Sequence, residues 1–167
     1  MNAIKKIKNI LDKVLLYTAL FFLAAMTIVI IHQVFSRQFL SHTPPWSEEL
    51  SRVLFVWVAF LGIAYGFKDK LHIGVGVVVN MFPKNLQKVC DLIAKILVIG
   101  LGVLMLYYGW HFTVLMGEST LAGLRLPSSV LYAVIPITGL YLIINGIELL
   151  FVEGMHQEYD EEDSKEA

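Results

Sequence analysis

Cysteine is almost missing from this chain of 167 residues. Cys90 stands alone, so no intrachain disulfide, CxxC redox pair or thiolate metal cluster can form from it, and quinone-linked disulfide chemistry is excluded. Charge is scarce too, at 16% of residues, and it is absent where an ion carrier would need it. No Asp, Glu, Lys or Arg occurs within 14–36, 53–67 or 96–117. Ion-coupled carriage calls for ionisable groups in series across the bilayer, so this void argues against the chain driving such carriage alone. A glycine-rich phosphate loop, a nucleophile triad and a metal-ligand cluster are also lacking. No enzyme activity, bound cofactor or nucleic-acid partner is expected.

What the chain does contain is apolar sequence, 57% of residues with a mean hydropathy of +0.68, which belongs in a bilayer. Four stretches reach the roughly 20 residues that a hydrocarbon core of about 30 Å demands of a helix: about 14–35, 48–67, 86–112 and 127–151. Lacking the period-2 alternation of a membrane barrel, they predict an all-α bundle of four transmembrane helices in one domain, residues 1–152. The first has the basic head of a signal peptide, but no small-residue cleavage site follows it, so it reads as a retained helix. Every lysine falls on one side of this layout, whereas the opposite loops hold Arg37, Arg52 and Arg125 balanced by Glu48, Glu49 and Glu118. The positive-inside rule then puts both termini in the cytoplasm.

Three segments are expected to lie beside the bundle rather than in it. Residues 2–13 carry Ile4, Ile7 and Leu11 at helical spacing, with Lys5, Lys8 and Asp12 on another face. That suits an interfacial helix on anionic headgroups, turning inward near residue 14; a solvated basic flank is the plainer alternative. Residues 71–82 are apolar but too short to cross. Pro83 reads as the opening of the third helix, whose Lys84, Lys88, Asp91 and Lys95 share a stripe. Residues 153–167 are strongly acidic without apolar periodicity and are expected to be disordered.

The chemistry-bearing candidates cluster at "PPWSEELSR", residues 44–52. On a helix starting near Ser47, Glu48 and Glu49 lie four and three residues before Arg52, so both acids can reach one guanidinium. Negative charge there also suits the helix dipole. One reading is a clamped helix start at headgroup level with Trp46 as interfacial anchor; the other is a functional cluster of Glu49 and Arg52 completed by Arg37. His32 and His111 both fall near the outer ends of parallel spans, which would permit a bis-histidine haem, although such histidines are commonly idle. Gly62 and Gly66 form a GxxxG that permits close helix packing.

In order, "VFSRQF", "WSEELSRVLFVWVAFLG", "HIGVGVVVNMFP" and "RLPSSVLYAVIP" resemble the small (Q-type) membrane subunit of tripartite ATP-independent periplasmic (TRAP) transporters over roughly residues 10–151. The resemblance implies a scaffold in the bacterial inner membrane, bound to a large subunit that carries the substrate and sodium sites, with a periplasmic protein delivering an organic acid such as a sialic acid or dicarboxylate. By position it implies a polar cluster of Arg37, Trp46, Glu48, Glu49 and Arg52 at the partner contact or stabilising the bundle. It likewise implies close packing at Gly62, an interfacial loop bounded by His72 and Pro83, and bends at Pro127 and Pro136. Gly76 departs from the acidic or asparagine residue common in that family's loop. The competing reading is a small self-assembling carrier or channel, its pore lined by Tyr65 or Tyr107 and backbone.

Overall fold

No glycine or proline interrupts residues 2–40, and a single helix of 39 residues, α1 (Asn2–Leu40), runs through all of them. The computed structural model describes residues 2–68 and 83–151. The segment 71–82 with His72, and the tail 153–167, lie outside the described residues. Ser41 closes α1 in the left-handed region at φ 50°, and the two prolines that follow start α2 (Pro45–Lys68). Next comes α3 (Lys84–Leu115), then a 3₁₀ turn over Met116–Glu118 and a small antiparallel hairpin of β1 (Thr120–Leu121) and β2 (Leu126–Pro127). In it Thr120 faces Pro127 and Leu121 faces Leu126. The one-turn helix α4 (Ser129–Tyr132) leads into α5 (Val134–Phe151). Among the described residues, four segments are long and apolar enough to span a membrane: Asn9–Leu40, Pro45–Phe67, Leu92–Glu118 and Ser129–Glu148.

Several sequence expectations change here. The turn inward near residue 14 does not occur, because nothing in 2–40 can break the helix. At 1.5 Å per residue α1 is about 58 Å long, far more than a core of about 30 Å requires. Pro83 is the residue before the third helix rather than its first; its carbonyl accepts the N–H groups of Leu86 (2.8 Å) and Gln87 (3.2 Å). Pro127 makes no bend, since it sits in β2. The fourth span does break at Ala133, between α4 and α5. Pro136 accounts for that: it has no N–H to give, and its ring crowds the carbonyl four residues back, at Tyr132.

In lipid the apolar surfaces of helices gain nothing by leaving the solvent, so close packing must hold the bundle. α3 lies along α5 and α1 along α2, with α2 joining the two pairs through α5. Half of the fourth span's residues are buried, against 6% in the first, which makes α5 the central element. Its contact with α3 runs through glycines seven residues apart on each side: Gly102 meets Gly139 and Ile143, Gly109 meets Ile135 and Pro136, and Gly146 meets Ile99. A Cβ at Gly139 would stand 2.7 Å from the Leu106 nitrogen and 2.8 Å from the Gly102 oxygen; one at Gly146 would stand 2.5 Å from Ile99 Cγ1. The expected packing site Gly62 is different, with nothing among the described residues within 4 Å of a Cβ there. α2 turns its other face, with Leu61 and Ala64, into a core shared with Leu15, Val134 and Tyr141. Gly66 is half-buried.

Candidate functional site at the loop end of α2

Pro44 supplies the first cap of α2: its carbonyl accepts both the N–H (3.1 Å) and the Oγ–H (2.7 Å) of the fully buried Ser47. The helix so started sends its two glutamates in different directions. Glu48 pairs with Arg52 at 3.1 Å, and both side chains are exposed, at 63% and 58%. Glu49 does not join them. Its Oε2 accepts two backbone N–H groups, from Gly123 and Leu124, each at 2.9 Å.

Glu49 thus ties the hairpin loop between β1 and β2 onto the start of α2. Gly123 allows the approach, because a Cβ there would lie 2.7 Å from the Pro45 carbonyl carbon and oxygen and 2.9 Å from the Trp46 nitrogen. The loop's own geometry is held by Arg125, left-handed at φ 55°, whose N–H bonds to Leu121 O at 2.7 Å. About two turns deeper on α2, the Trp57 indole donates to Val130 O at 2.9 Å and meets Phe22 edge-on at 5.6 Å, linking α1, α2 and α4.

The five residues of the expected polar cluster are therefore only partly united. Glu48 and Arg52 form an exposed clamp, and Glu49 is a tertiary anchor. Trp46 packs against His32, with ring centroids 5.5 Å apart. Arg37 is exposed and makes no ion pair among the described residues. A buried Glu49–Arg52–Arg37 network is not formed: the loop's N–H groups meet Glu49 without desolvating a second charge. His111, the other expected histidine, packs against Tyr107 at 4.9 Å.

This division sets distinct costs. Arg52→Ala should destabilise the chain by under about 1 kcal/mol, as exposed pairs do. Glu49→Ala, which leaves two N–H groups without their acceptor, should cost about 2–4 kcal/mol. Thermal unfolding of both variants in detergent checks the ordering; equal losses would return Arg52 to the network.

At the opposite end of the bundle, Asp12 and Lys95, which the sequence places only on charged helix faces, are buried with polar residues of α5. Asp12 is only 1% exposed, and Tyr141 Oη donates to its Oδ1 at 2.7 Å. Lys95 is also buried, at 6%, and Asn145 Nδ2 bonds back to Tyr141 O at 2.9 Å. The available signal was Thr138, Tyr141 and Asn145, spaced three and four apart on one face of an otherwise apolar span.

Long exposed apolar helices, a packed centre and ionic groups at both ends define an integral membrane protein with no catalytic constellation among its described residues. The family model for tripartite ATP-independent periplasmic transporters, DctQ component, matches residues 26–153. The chain belongs to that family, one of transporter components rather than enzymes. It is 30% identical over 92 residues to the C4-dicarboxylate TRAP transporter small permease protein DctQ of Vibrio cholerae, an alignment covering 55% of this chain and 40% of that protein. A putative TRAP transporter small permease protein of Haemophilus influenzae is 26% identical over 162 residues, 96% of this chain and 94% of the relative. The sialic acid TRAP transporter permease protein SiaT of Haemophilus influenzae is 31% identical over 81 residues, which is 48% of this chain and only 13% of that longer protein.

Proposed function

We propose that this chain is the small, non-transporting subunit of a TRAP transporter, bracing a large membrane subunit that takes up an organic anion with sodium. A periplasmic binding protein delivers the solute, and both termini of this chain face the cytoplasm. The observation that carries the reading is the closed interior. Leu61, Ala64, Val134 and Leu142 are between 0% and 5% exposed, and the middle of every span lacks an ionic side chain, so the described residues offer a solute no path. The match to a small fraction of a much longer permease supports a division of labour in which another part moves the solute. Sodium belongs at that large partner. The relatives' names point to more than one organic acid, dicarboxylate and sialic acid among them.

The contact with the large subunit is assigned to the outward stripe of α2: Glu48, Arg52, Phe55, Ala59 and Gly62 are all exposed and recur at spacings of four and three. Small residues at mid-membrane let a second helix approach, and among the described residues nothing lies within 4 Å of a Cβ at Gly62. The charged head of the stripe adds orientation at the membrane surface. Gly62→Trp should leave thermal stability of the isolated chain within about 0.5 kcal/mol. In a co-expressed complex, recovery of the large subunit and sodium-driven uptake should both fall at least tenfold. Undiminished co-purification removes this face as the contact. Solute accumulation by vesicles holding this chain alone would remove the bracing role itself.

A further inference from the structure

Contacts between the helices fix their relative heights. Phe22 meets Trp57 and His32 meets Trp46, so α1 and α2 run antiparallel and in step. Across the bundle Ile99 meets Gly146 and Gly109 meets Pro136, so α3 and α5 do the same. Two links tie α1 to the fourth span: Tyr141 donates to Asp12, and Trp57, level with Phe22, donates to Val130 O. They agree to within one residue. Through them Leu11 of α1 stands level with Val103 of α3, Lys13 with Met105, and Leu23 with Leu115.

The stretches without ionic residues do not share these heights. They are 14–36 on α1 and 96–117 on α3. Lys13 stands ten residues inside the level of Lys95, and Arg37 stands beyond the level of Glu118 by a similar distance, roughly 15 Å in each case. Glu48 and Arg52 of α2 fall at heights between those of Arg37 and Glu118. Both boundaries are therefore displaced in the same direction by nearly the same amount, as two parallel planes crossing the bundle obliquely would be. An upright bundle with 96–117 in hydrocarbon would hold the exposed Lys13 at mid-membrane, among the costliest placements in a bilayer. It would also lift Ile28, Ile31, Val34 and Phe35, each more than half exposed, out into water.

We propose that bilayer lipid meets this bundle along an oblique band, covering 14–36 of α1 and 96–117 of α3, with the helices leaning by roughly 35°. The angle follows from the packing order, in which α1 and α3 flank α2 and α5. At 8–10 Å per helix spacing the two lie roughly 20 Å apart, and the step between their boundaries is about 15 Å. Length gives an independent check. The two stretches are about 34 and 33 Å long, and a lean of about 35° reduces both to about 27–28 Å across the membrane, close to a core of about 30 Å. Lys13 and Lys95 then begin in one headgroup layer, and Arg37, Arg52 and Glu118 in the other.

Nitroxide labels test this in the full-length chain in phospholipid vesicles, with Cys90→Ser as background. Leu11→Cys and Val103→Cys are level in the bundle, as are Leu23→Cys and Leu115→Cys, and all four native side chains are exposed. Collision with a neutral nickel chelate, relative to oxygen, should be at least about fivefold greater at Leu11 than at Val103, and at least about fivefold greater at Leu115 than at Leu23. The shallower site changes from α1 to α3 between the pairs, which no vertical shift of an upright bundle produces. Polarised infrared spectra of oriented bilayers should give a mean helix tilt of about 30–40°, above the usual value of about 20°. Equal collision rates within either pair overturn the proposal, and so does a mean tilt under about 30°.

Discussion

Gly139→Leu is expected to separate α3 from α5 and to cost about 3 kcal/mol or more, at the top of the range for overpacked interiors. The neighbours of the added Cβ are backbone atoms, the Leu106 nitrogen at 2.7 Å and the Gly102 oxygen at 2.8 Å, which cannot swing aside as a side-chain tip can. Relief requires the whole helix to move by an ångström or more, and the contact at Gly102 and Ile143 opens with it. Because α5 is the most buried span and joins both helix pairs, the loss reaches α2 as well. The control is Gly100→Leu on α3, where a Cβ has nothing within 4 Å. By the scaling for chains of this size, about 3 kcal/mol corresponds to a fall of roughly 6–12 °C in the midpoint of thermal unfolding in detergent. A Gly139 variant that melts with the Gly100 variant would mean that the glycine line does not hold the bundle.

This glycine line shows where reading the sequence stops. The four spans were legible because hydrocarbon thickness imposes a length on each run separately. A bend at Pro136 was expected only through the family resemblance, which also put one at Pro127 where a strand lies; the break before Pro136 follows from proline's action on its own helix. Which glycines pack is a property of two surfaces, and "GIAYG" on α2 carries the recognised spacing although a Cβ at its Gly62 meets nothing among the described residues. The glycines that do pack are seven apart on α3 and on α5, a pattern visible only once the two helices are known to be neighbours. Glu49 is a similar case. Its spacing to Arg52 suggested a local ion pair, but its partners are N–H groups more than seventy residues later in the chain, brought to it by a hairpin loop that closes against Pro45. Family membership was legible from the same motifs taken in order, and the family model matches the stretch that holds them, residues 26–153.

The second large effect is expected at Asp12, which looks in sequence like one more ion on a lysine-rich flank. Its carboxylate is 1% exposed and accepts from a tyrosine that is itself 5% exposed, so both groups have left water. Tyr141→Phe keeps the ring's packing against Leu15 and Leu61 but removes a donor to a charged acceptor, at an expected cost of about 1.5–3 kcal/mol. Asp12→Ala instead strands the buried hydroxyl and should cost at least about 1–3 kcal/mol. Each single change leaves one polar group without the other, whereas removing both leaves neither. The double variant should therefore be more stable than the sum of the singles predicts, by about 1.5–3 kcal/mol. The exposed Glu48–Arg52 pair, put through the same cycle in the same detergent, should show under about 1 kcal/mol, because water already solvates both partners. If the Asp12–Tyr141 cycle is additive to within about 0.5 kcal/mol, the bond does not lock α1 to α5.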